Sequence, residues 1–421
     1  MLLIKNARVM DPASGFDGQA DILMDDGKIV KIAPDIQAGS GDRVIDAAGC
    51  VAAPGLVDVH VHFRDPGFPD KEDILTGAKA AAAGGFTTVI MMANTSPKID
   101  NTETLAYVLE KGKKTGIHVL SCANVTVGMR GKELTEMKTL AEAGAAGFTD
   151  DGVPILDEAL CRRAMEEAAA LGMPISFHEE DPAYIKNNGV NRGKASAFFG
   201  IEGSDRQAEI SMVARDAALA AETGACVEIQ HISAAESVEI VRKAKAAGTD
   251  IHAEATPHHF SLTEEAAIKY GTYAKMNPPL REERDRQAII AGLQDGTIDI
   301  IATDHAPHTK EEKSKPITAA PSGIIGLETS LPLGITELVG PGYLSLMALL
   351  APMTVNPARL YHLDAGYLAE GGPADVVIFN PEETFVAGNY ASKAENTPFT
   401  GRELKGRVRW TVCGGQVVYE A

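Results

Sequence analysis

Between about residues 54 and 310, short apolar runs of β-strand character alternate with longer segments of helical period, such as ILTGAKAAAAGG, LDEALCRRAMEEAAALGM and AESVEIVRKAKAAG. Eight β-then-α units in this order predict an α/β fold, a closed (β/α)8 barrel of the TIM type. A doubly wound parallel sheet with an appended domain is the alternative. The eight predicted strands are VAAPGLVDVHVHF, TTVIMMAN, HVLSCANVT, AAGFTDD, PISFHEE, CVEIQHIS, DIHAEATPHH and DIIATDHAPH.

The two ends of the chain have a different pattern. Short strands broken by turns occupy residues 1–53, and the same pattern returns after residue 360 in ADVVIFN, RVRWTVCGG and QVVYEA. We expect both ends to pair into one small β-sandwich domain made of residues 1–53 and 360–421. Residues 54–359 would then form the barrel.

The acidic balance of the chain restricts its partners. With 39 Lys and Arg against 58 Asp and Glu, the net charge is −19, which disfavours nucleic acid and anionic membranes because their phosphates would be repelled. The five cysteines lack Cys-x-x-Cys spacing, so neither a disulfide framework nor a thiolate zinc site is predicted. No signal segment and no run near the ~20 apolar residues of a membrane span is visible, so we expect a cytoplasmic location.

The stretch DVHVHFRDPG places His60 and His62 at the end of the first predicted strand. Residues i and i+2 of a strand point to the same side, so the two imidazoles lie next to each other. Burying such a pair is costly unless something binds it. The simpler interpretation is a pair of hydrogen-bonded core histidines. The residues at the ends of the other strands distinguish this interpretation from a binding site.

Ligand-type residues also end other strands. Taken singly, each could be a hydrogen-bonded core histidine or an aspartate that caps the following helix. In a parallel barrel, however, the carboxyl ends of the strands form one face, where active sites collect. Besides the histidine pair, the residues concerned are Asp150, Asp151, His178, His231 and Asp304, with His308 just beyond.

Together these residues predict a shared metal site. Nitrogen and carboxylate donors without thiolate favour zinc, and manganese and cobalt are also compatible. Such a site lowers the pKa of bound water to around 7 and polarises a carbonyl, and Asp304 can then take the proton and pass it to a leaving group. Two clusters around a bridging Asp151 suit a two-metal site, with one ion on His60, His62 and Asp304 and the other on His178 and His231.

Several motifs in order resemble those of one known family. DVHVHFRDPG and ATDHAPHTKEEK look like the two signatures of dihydroorotases of the bacterial class I type, in the amidohydrolase superfamily. The resemblance continues through MMANTSP, FTDDG, FHEE, QHIS, EATPHHF, KMNPPLR and SGIIGLETSLPL, and so extends essentially from end to end. It implies a hydrolase of cyclic amides that interconverts N-carbamoyl-L-aspartate and (S)-dihydroorotate in the de novo biosynthesis of pyrimidines (UMP).

The resemblance also implies roles for individual residues. Asp304 matches the general acid/base, and zinc is the implied cofactor, one or two ions per subunit with two favoured. Residues 309–323, rich in Lys, Ser, Pro and Gly, suit a mobile lid over the site. The implied metal ligands are His60, His62, Asp151, His178, His231 and Asp304. The implied substrate contacts are His62, Arg64, Asn94, Asn277 and His308, with Ser322 and Gly323 on the lid.

Two departures from the family pattern bear on these roles. Many relatives bridge their metals with a carboxylated lysine at the end of strand four, but GAAGFTDDG has no lysine. Asp151 must then serve as the bridge. Whether the site binds one metal ion or two stays open. Ala93, next to Asn94, also occupies a position where a proline is usual in the family. We expect this change to have only a mild effect on substrate binding by Asn94.

Two other functions compete with this interpretation. Hydantoinases, dihydropyrimidinases and allantoinases also open cyclic ureides, but their substrates lack the ring carboxylate that Arg64 and Asn94 would bind. A non-catalytic scaffold for aspartate transcarbamoylase is the second alternative, although such relatives typically lose metal ligands and all six are present here. As partners we expect the small-molecule substrate, a second copy in a homodimer and an association with aspartate transcarbamoylase.

Overall fold

A computed structural model describes all 421 residues of the chain. Its first part is a set of strands in which β1 pairs antiparallel with β2 and β2 with β3. Asp26 and Gly27 join β2 to β3 with φ of 45° and 73°, and two left-handed residues in a two-residue loop are typical of a tight hairpin turn. The five strands are β1 (Leu2–Asp11), β2 (Phe16–Asp25), β3 (Lys28–Ala33), β4 (Arg43–Asp46) and β5 (Val51–Pro54).

Eight parallel strands follow and form the predicted barrel. They pair as one group of three and one group of five. Isolated bridges between Val61 and His305 and between Ala123 and Phe148 join the two groups at both edges, so the barrel closes. The strands are β6 (Leu56–Val61), β7 (Phe86–Met91), β8 (His118–Ser121), β9 (Phe148–Thr149), β10 (Ile175–Phe177), β11 (Val227–Ile229), β12 (Ile251–Ala255) and β13 (Ile300–Ile301).

The helices alternate with these strands, as the helical periods predicted. In α4, the Asp157 side chain caps the start by accepting the Leu160 N–H, and Gly172 at φ 64° ends it. No helix is both long enough and apolar enough to span a membrane. The helices are α1 (Ile74–Ala83), α2 (Thr102–Gly112), α3 (Met137–Glu142), α4 (Glu158–Leu171), α5 (Lys194–Phe199), α6 (Gln207–Thr223), α7 (Ala235–Ala246), α8 (Pro257–Ser261), α9 (Glu265–Tyr270), α10 (Glu283–Asp295), α11 (Lys310–Lys313), α12 (Ser330–Gly334), α13 (Leu346–Leu350) and α14 (Val355–Leu360).

The C-terminal strands return to the first sheet. They are β14 (Val376–Val386), β15 (Glu403–Cys413) and β16 (Gln416–Glu420), and β14 pairs antiparallel with β5. The result is one mixed eight-stranded sheet built from both ends of the chain. The predicted fold class is therefore confirmed, while the exact domain boundaries at 53/54 and 359/360 stay predictions.

Two predicted strands differ in detail. The first predicted strand is divided at Gly55, where the chain leaves the mixed sheet through β5 and enters the barrel through β6. A Cβ atom at Gly55 would lie 2.1 Å from Thr87 Oγ1, so this crossing has no room for a side chain. The seventh strand ends at Ala255, and His258 and His259 lie in the short helix α8 rather than at the end of the strand.

Candidate metal centre and active site

All six predicted metal ligands meet at the carboxyl ends of the barrel strands. Their side chains are nearly or fully buried. Asp151 belongs to two groups of close ligand atoms, one with His60 and His62 and the other with His178 and His231. Its carboxylate lies 3.6 Å from His60 Nε2, 3.5 Å from His62 Nε2, 3.6 Å from His178 Nδ1 and 3.8 Å from His231 Nε2. Asp151 therefore has the position expected of a bridge.

Asp304 completes the first of these groups. Its Oδ1 atom is 2.9 Å from His62 Nε2 and 3.6 Å from His60 Nε2. Burial would raise the pKa of Asp304, but the hydrogen bond from His62 and the neighbouring imidazoles lower it overall. The carboxylate is therefore held in its ionised form.

The donor atoms fit a divalent metal ion. His60 Nε2 is buried, faces the cluster and has no hydrogen-bond partner, which is costly unless a cation takes its lone pair. Burial opposes a charge on His60, yet the surrounding carboxylates, Glu254 foremost, raise its pKa well above the ordinary value. The cluster thus demands positive charge, and imidazole nitrogens with carboxylate oxygens are donors that zinc and similar metals accept.

Two glutamate side chains fix which imidazole nitrogen of His60 and of His178 faces the cluster. Glu254 Oε1 accepts the Nδ1–H of His60 at 2.5 Å. Glu180 Oε2 accepts from His178 Nε2 at 3.0 Å, which leaves Nδ1 toward Asp151. A partner on the second ring nitrogen sets the tautomer and orientation of a ligating histidine. Sequence reasoning missed both glutamates, although Glu180 follows His178 by two residues in FHEE and so gave a local signal.

Glu254 does more than orient one histidine. Its Oε1 atom also accepts the backbone N–H of His231 at 2.9 Å. His231 has a left-handed φ of 32°, a conformation that costs free energy in a residue with a side chain. Glu254 therefore links a ligand from each half of the site and stabilises a strained backbone at one of them.

Asn94 makes contacts with metal-site residues that the sequence did not predict. Its Oδ1 accepts from His62 Nδ1 at 3.1 Å, and its Nδ2 donates to Asp151 Oδ2 at 3.0 Å. Both halves of the amide are thus engaged with metal-site residues. Asn94 also lines the cavity, so its predicted contact with substrate stays a prediction.

The cavity over the cluster is small and polar. Ala306 is its only hydrophobic lining residue, and no lysine lines it. A larger cavity of about 430 Å³ lies between Pro332 and the strands β14 and β15, but none of the groups of potential metal ligands lies there, so the smaller one is the candidate active site. Its lining is His62, Arg64, Asn94, Asp151, Gly152, His178, His231, Asn277, Asp304, Ala306, Ser322 and Gly323.

Groups suited to a polar substrate face this cavity. Arg64 holds a left-handed φ of 60°, and its Nε donates to Pro307 O at 3.2 Å, which fixes the guanidinium at the rim. Asn277 Oδ1 and Ser322 Oγ are buried without hydrogen-bond partners. Unpaired buried polar atoms of this kind are available to a ligand.

His308 lies behind Arg64 and is not among the lining residues. Its Nε2 is 2.8 Å from Ser322 O and 3.3 Å from Arg64 Nη2, and the shorter contact assigns the N–H to the carbonyl. Burial, reinforced by Arg64, lowers the pKa of His308 to about 3, so the ring is neutral. This contact with Ser322 supports the lid segment, and contact of His308 with substrate stays a prediction.

The lid is anchored more firmly than its composition indicated. Lys275 and Lys313 are 2% and 1% exposed. Lys275 Nζ donates to Ile317 O and Ala320 O, both at 2.7 Å. Lys313 Nζ donates to the carbonyls of Pro321 at 3.0 Å and Gly323 at 2.8 Å. Two buried lysine side chains thus hold the backbone that carries the predicted substrate contacts.

His258 and His259 are buried in α8. His259 Nε2 is 3.1 Å from Pro278 O and its Nδ1 is 2.8 Å from Thr256 Oγ1. Burial lowers the pKa of His259 to about 4. These contacts agree with a structural role, although His258 Nε2 is buried without a partner.

Replacing Glu254 should weaken metal binding. We expect Glu254→Gln, which keeps the shape and loses the charge, to lower metal affinity by about 10–100-fold, and Glu254→Ala to lower it further. The metal affinity is measured by titrating the metal-free protein with metal in competition with a chelator. Glu228→Gln is the matched control, because Glu228 is equally buried but bonds to Tyr361; unchanged affinity in Glu254→Ala would contradict the role.

Replacing Lys275 should loosen the lid. Lys275→Met leaves two buried carbonyls without donors, at a cost of about 1–3 kcal/mol each, so the backbone amides of residues 314–323 should exchange with deuterium about tenfold faster or more. Hydrogen-exchange mass spectrometry measures the rate. Lys310→Met is the control, since Lys310 is exposed and pairs with Glu395; equal exchange in both variants would refute the anchoring role.

Comparison with known proteins agrees with this geometry. A family model described as Dihydro-orotase-like matches residues 49–237. Proteins called dihydroorotase from Clostridioides difficile and Streptococcus pneumoniae are 56% and 55% identical to the chain. Each alignment covers 100% of this chain and 100% of the relative. Among solved structures, an L-hydantoinase from Arthrobacter aurescens has a TM-score of 0.89 at 27% identity and covers 100% of this chain and 96% of its own. This chain belongs to the dihydroorotase family.

Proposed function

We propose that the candidate site interconverts N-carbamoyl-L-aspartate and (S)-dihydroorotate, with Asp304 as the general acid/base. The observation that carries these residue roles is the shared position of Asp151 between two histidine groups, with Asp304 against the first, below a cavity that Arg64 lines. The relatives named dihydroorotase support the reaction itself.

Asp304 moves the proton that the reaction requires. In hydrolysis a bond forms between a water oxygen and the ring carbonyl carbon, and the bond from that carbon to the ring nitrogen breaks. Asp304 takes a proton from the water and returns it to the departing nitrogen; in ring closure it takes the proton from the ureido nitrogen. Its lowered pKa and its hydrogen bond with His62 keep it ionised for the first transfer.

Arg64 gives the site its preference for an acidic ring. Dihydroorotate carries a carboxylate, and a guanidinium can bind it through two parallel hydrogen bonds. Asn277 and Ser322 present unpaired polar atoms to the same cavity, where they would meet the ureide.

We further infer two zinc ions as the cofactor. His60, His62 and Asp304 would hold one and His178 and His231 the other, with Asp151 as the bridge in place of the lysine that many relatives carry. Zinc, when bound, would polarise the substrate carbonyl group and lower the pKa of a water molecule. The donor set and the unpartnered His60 Nε2 support a divalent metal.

The assembly of the chain is also proposed rather than observed. A homodimer, an association with aspartate transcarbamoylase and a cytoplasmic location rest on the family resemblance and the composition. The scaffold alternative is disfavoured because five of the six proposed ligands line one cavity and His60 lies 3.6 Å from two of them, Asp151 and Asp304.

Replacing Arg64 should separate dihydroorotase from hydantoinase chemistry. Arg64→Met removes charged hydrogen bonds worth about 1.5–3 kcal/mol, so kcat/KM for dihydroorotate should fall by about 10–150-fold. Dihydrouracil lacks the carboxylate, so its slow turnover should change little. Steady-state assays on both substrates measure the ratio, and an equal fractional loss on both would refute the assignment.

Replacing Asp304 should remove the proton transfer while keeping the fold. Asp304→Asn retains a similar shape but a far weaker base, so we expect kcat to fall by about 10²–10⁴-fold. Metal content by elemental analysis should stay close to that of the native protein, because five other ligands remain. Near-normal turnover in the metal-loaded variant would contradict the general acid/base role.

A further inference from the structure

A second group of potential ligands lies at the opposite end of the barrel. His118 is the first residue of β8, Asp375 comes just before β14 and Cys413 is the last residue of β15. Their ligand atoms all lie within 4.8 Å of one another. Since β8 starts at this end, the group is separated from the catalytic mouth by the length of the barrel strands.

Asp375 presents one carboxylate oxygen to His118 and the other to the backbone. Its Oδ1 accepts the Gly414 N–H at 2.7 Å, and its Oδ2 lies 3.0 Å from His118 Nε2. The carboxylate side chain is 4% exposed, and His118 is the only cationic side chain that pairs with it. A buried carboxylate with so little compensating charge favours an additional cation.

Cys413 supplies the soft donor. It is 5% exposed, and its Sγ faces Thr87 O at 3.7 Å. Burial, reinforced by the Asp375 charge, raises the pKa of its thiol, so without a cation the thiol stays protonated. A metal ion deprotonates a coordinating thiol outright.

We propose that His118, Asp375 and Cys413 bind a divalent zinc-type ion distinct from the catalytic centre. Imidazole, carboxylate and thiolate are all zinc donors, and three protein ligands leave a fourth position for water. The His118 side chain is 52% exposed, which gives the ion a route from solvent. Binding forms a metal–sulfur bond and releases the thiol proton to water.

The site would join the two parts of the fold. One ligand comes from a barrel strand and two come from the mixed sheet, so an ion that binds only the folded chain would stabilise this junction. Sequence spacing could not indicate it, since the prediction against a thiolate site considered only cysteines close together in the chain. These ligands lie at positions 118, 375 and 413.

Another group, Cys226 with Asp250 and His252, is less suitable. Both ring nitrogens of His252 are already bonded to carboxylates, at 2.6 Å to Asp299 and 3.2 Å to Asp250. Lys245 adds a positive charge 3.0 Å from Asp299. This group already has its compensating charge, and it provides a cysteine for a control.

Cobalt substitution tests the proposal. Metal-free full-length protein is titrated with Co²⁺ and its near-ultraviolet absorption is recorded. A sulfur-to-cobalt charge-transfer band is expected, which the nitrogen and oxygen ligands of the catalytic centre cannot produce. Cys413→Ser should abolish the band and Cys226→Ser should retain it, and both should keep turnover because neither residue contacts the active site.

Zinc-dependent thermal unfolding gives a second measurement. In a background with the catalytic centre already loaded, added Zn²⁺ should raise the Tm of the native chain but not that of Cys413→Ser or His118→Gln. Absence of the charge-transfer band from the native protein, or its persistence in Cys413→Ser, would overturn the proposal. Neither result would affect the assignment of the catalytic centre, whose ligands include no sulfur.

Discussion

The carboxylate of Asp151 is the point on which the active site depends. Four imidazoles, from the ends of three different strands, lie within 3.5 to 3.8 Å of its oxygens. No local segment of chain can produce this arrangement, because residues 60 and 231 meet only when the barrel has closed. Closure in turn relies on few hydrogen bonds, since the two groups of strands are joined by single bridges.

The residues around the ligands make this arrangement specific. Glu254, Glu180 and Asn94 each occupy the second nitrogen of a histidine, and so decide which nitrogen is left for a metal. Left-handed backbone at Arg64, His231 and Asp304 shows that the chain accepts local strain to aim these side chains. The surrounding barrel core is large and buried, and its packing holds these residues in their strained conformations.

Much of this site could be predicted from sequence, for a simple geometric reason. Parallel strands bring their carboxyl ends to one face, so histidines and aspartates at those ends had to converge. Glu254 was not predicted because it lies within β12, and its role depends on residues from two other strands, His60 on β6 and His231 after β11. The lysines of residues 309–323 contribute to the prediction of a mobile lid, because lysine usually indicates solvent, whereas the amines of Lys313 and Lys275 are buried against carbonyl groups of that segment.

The mixed sheet has a consequence for how the chain is made. Strand β5 pairs with β14 on one side, yet residues 55–375 are synthesised between them. During translation, this edge of β5 stays unpaired until nearly the whole polypeptide has left the ribosome. Unpaired strand edges can associate with other chains. Early barrel closure behind Gly55 would shorten that exposure, so the order of folding matters to this architecture as much as its final stability.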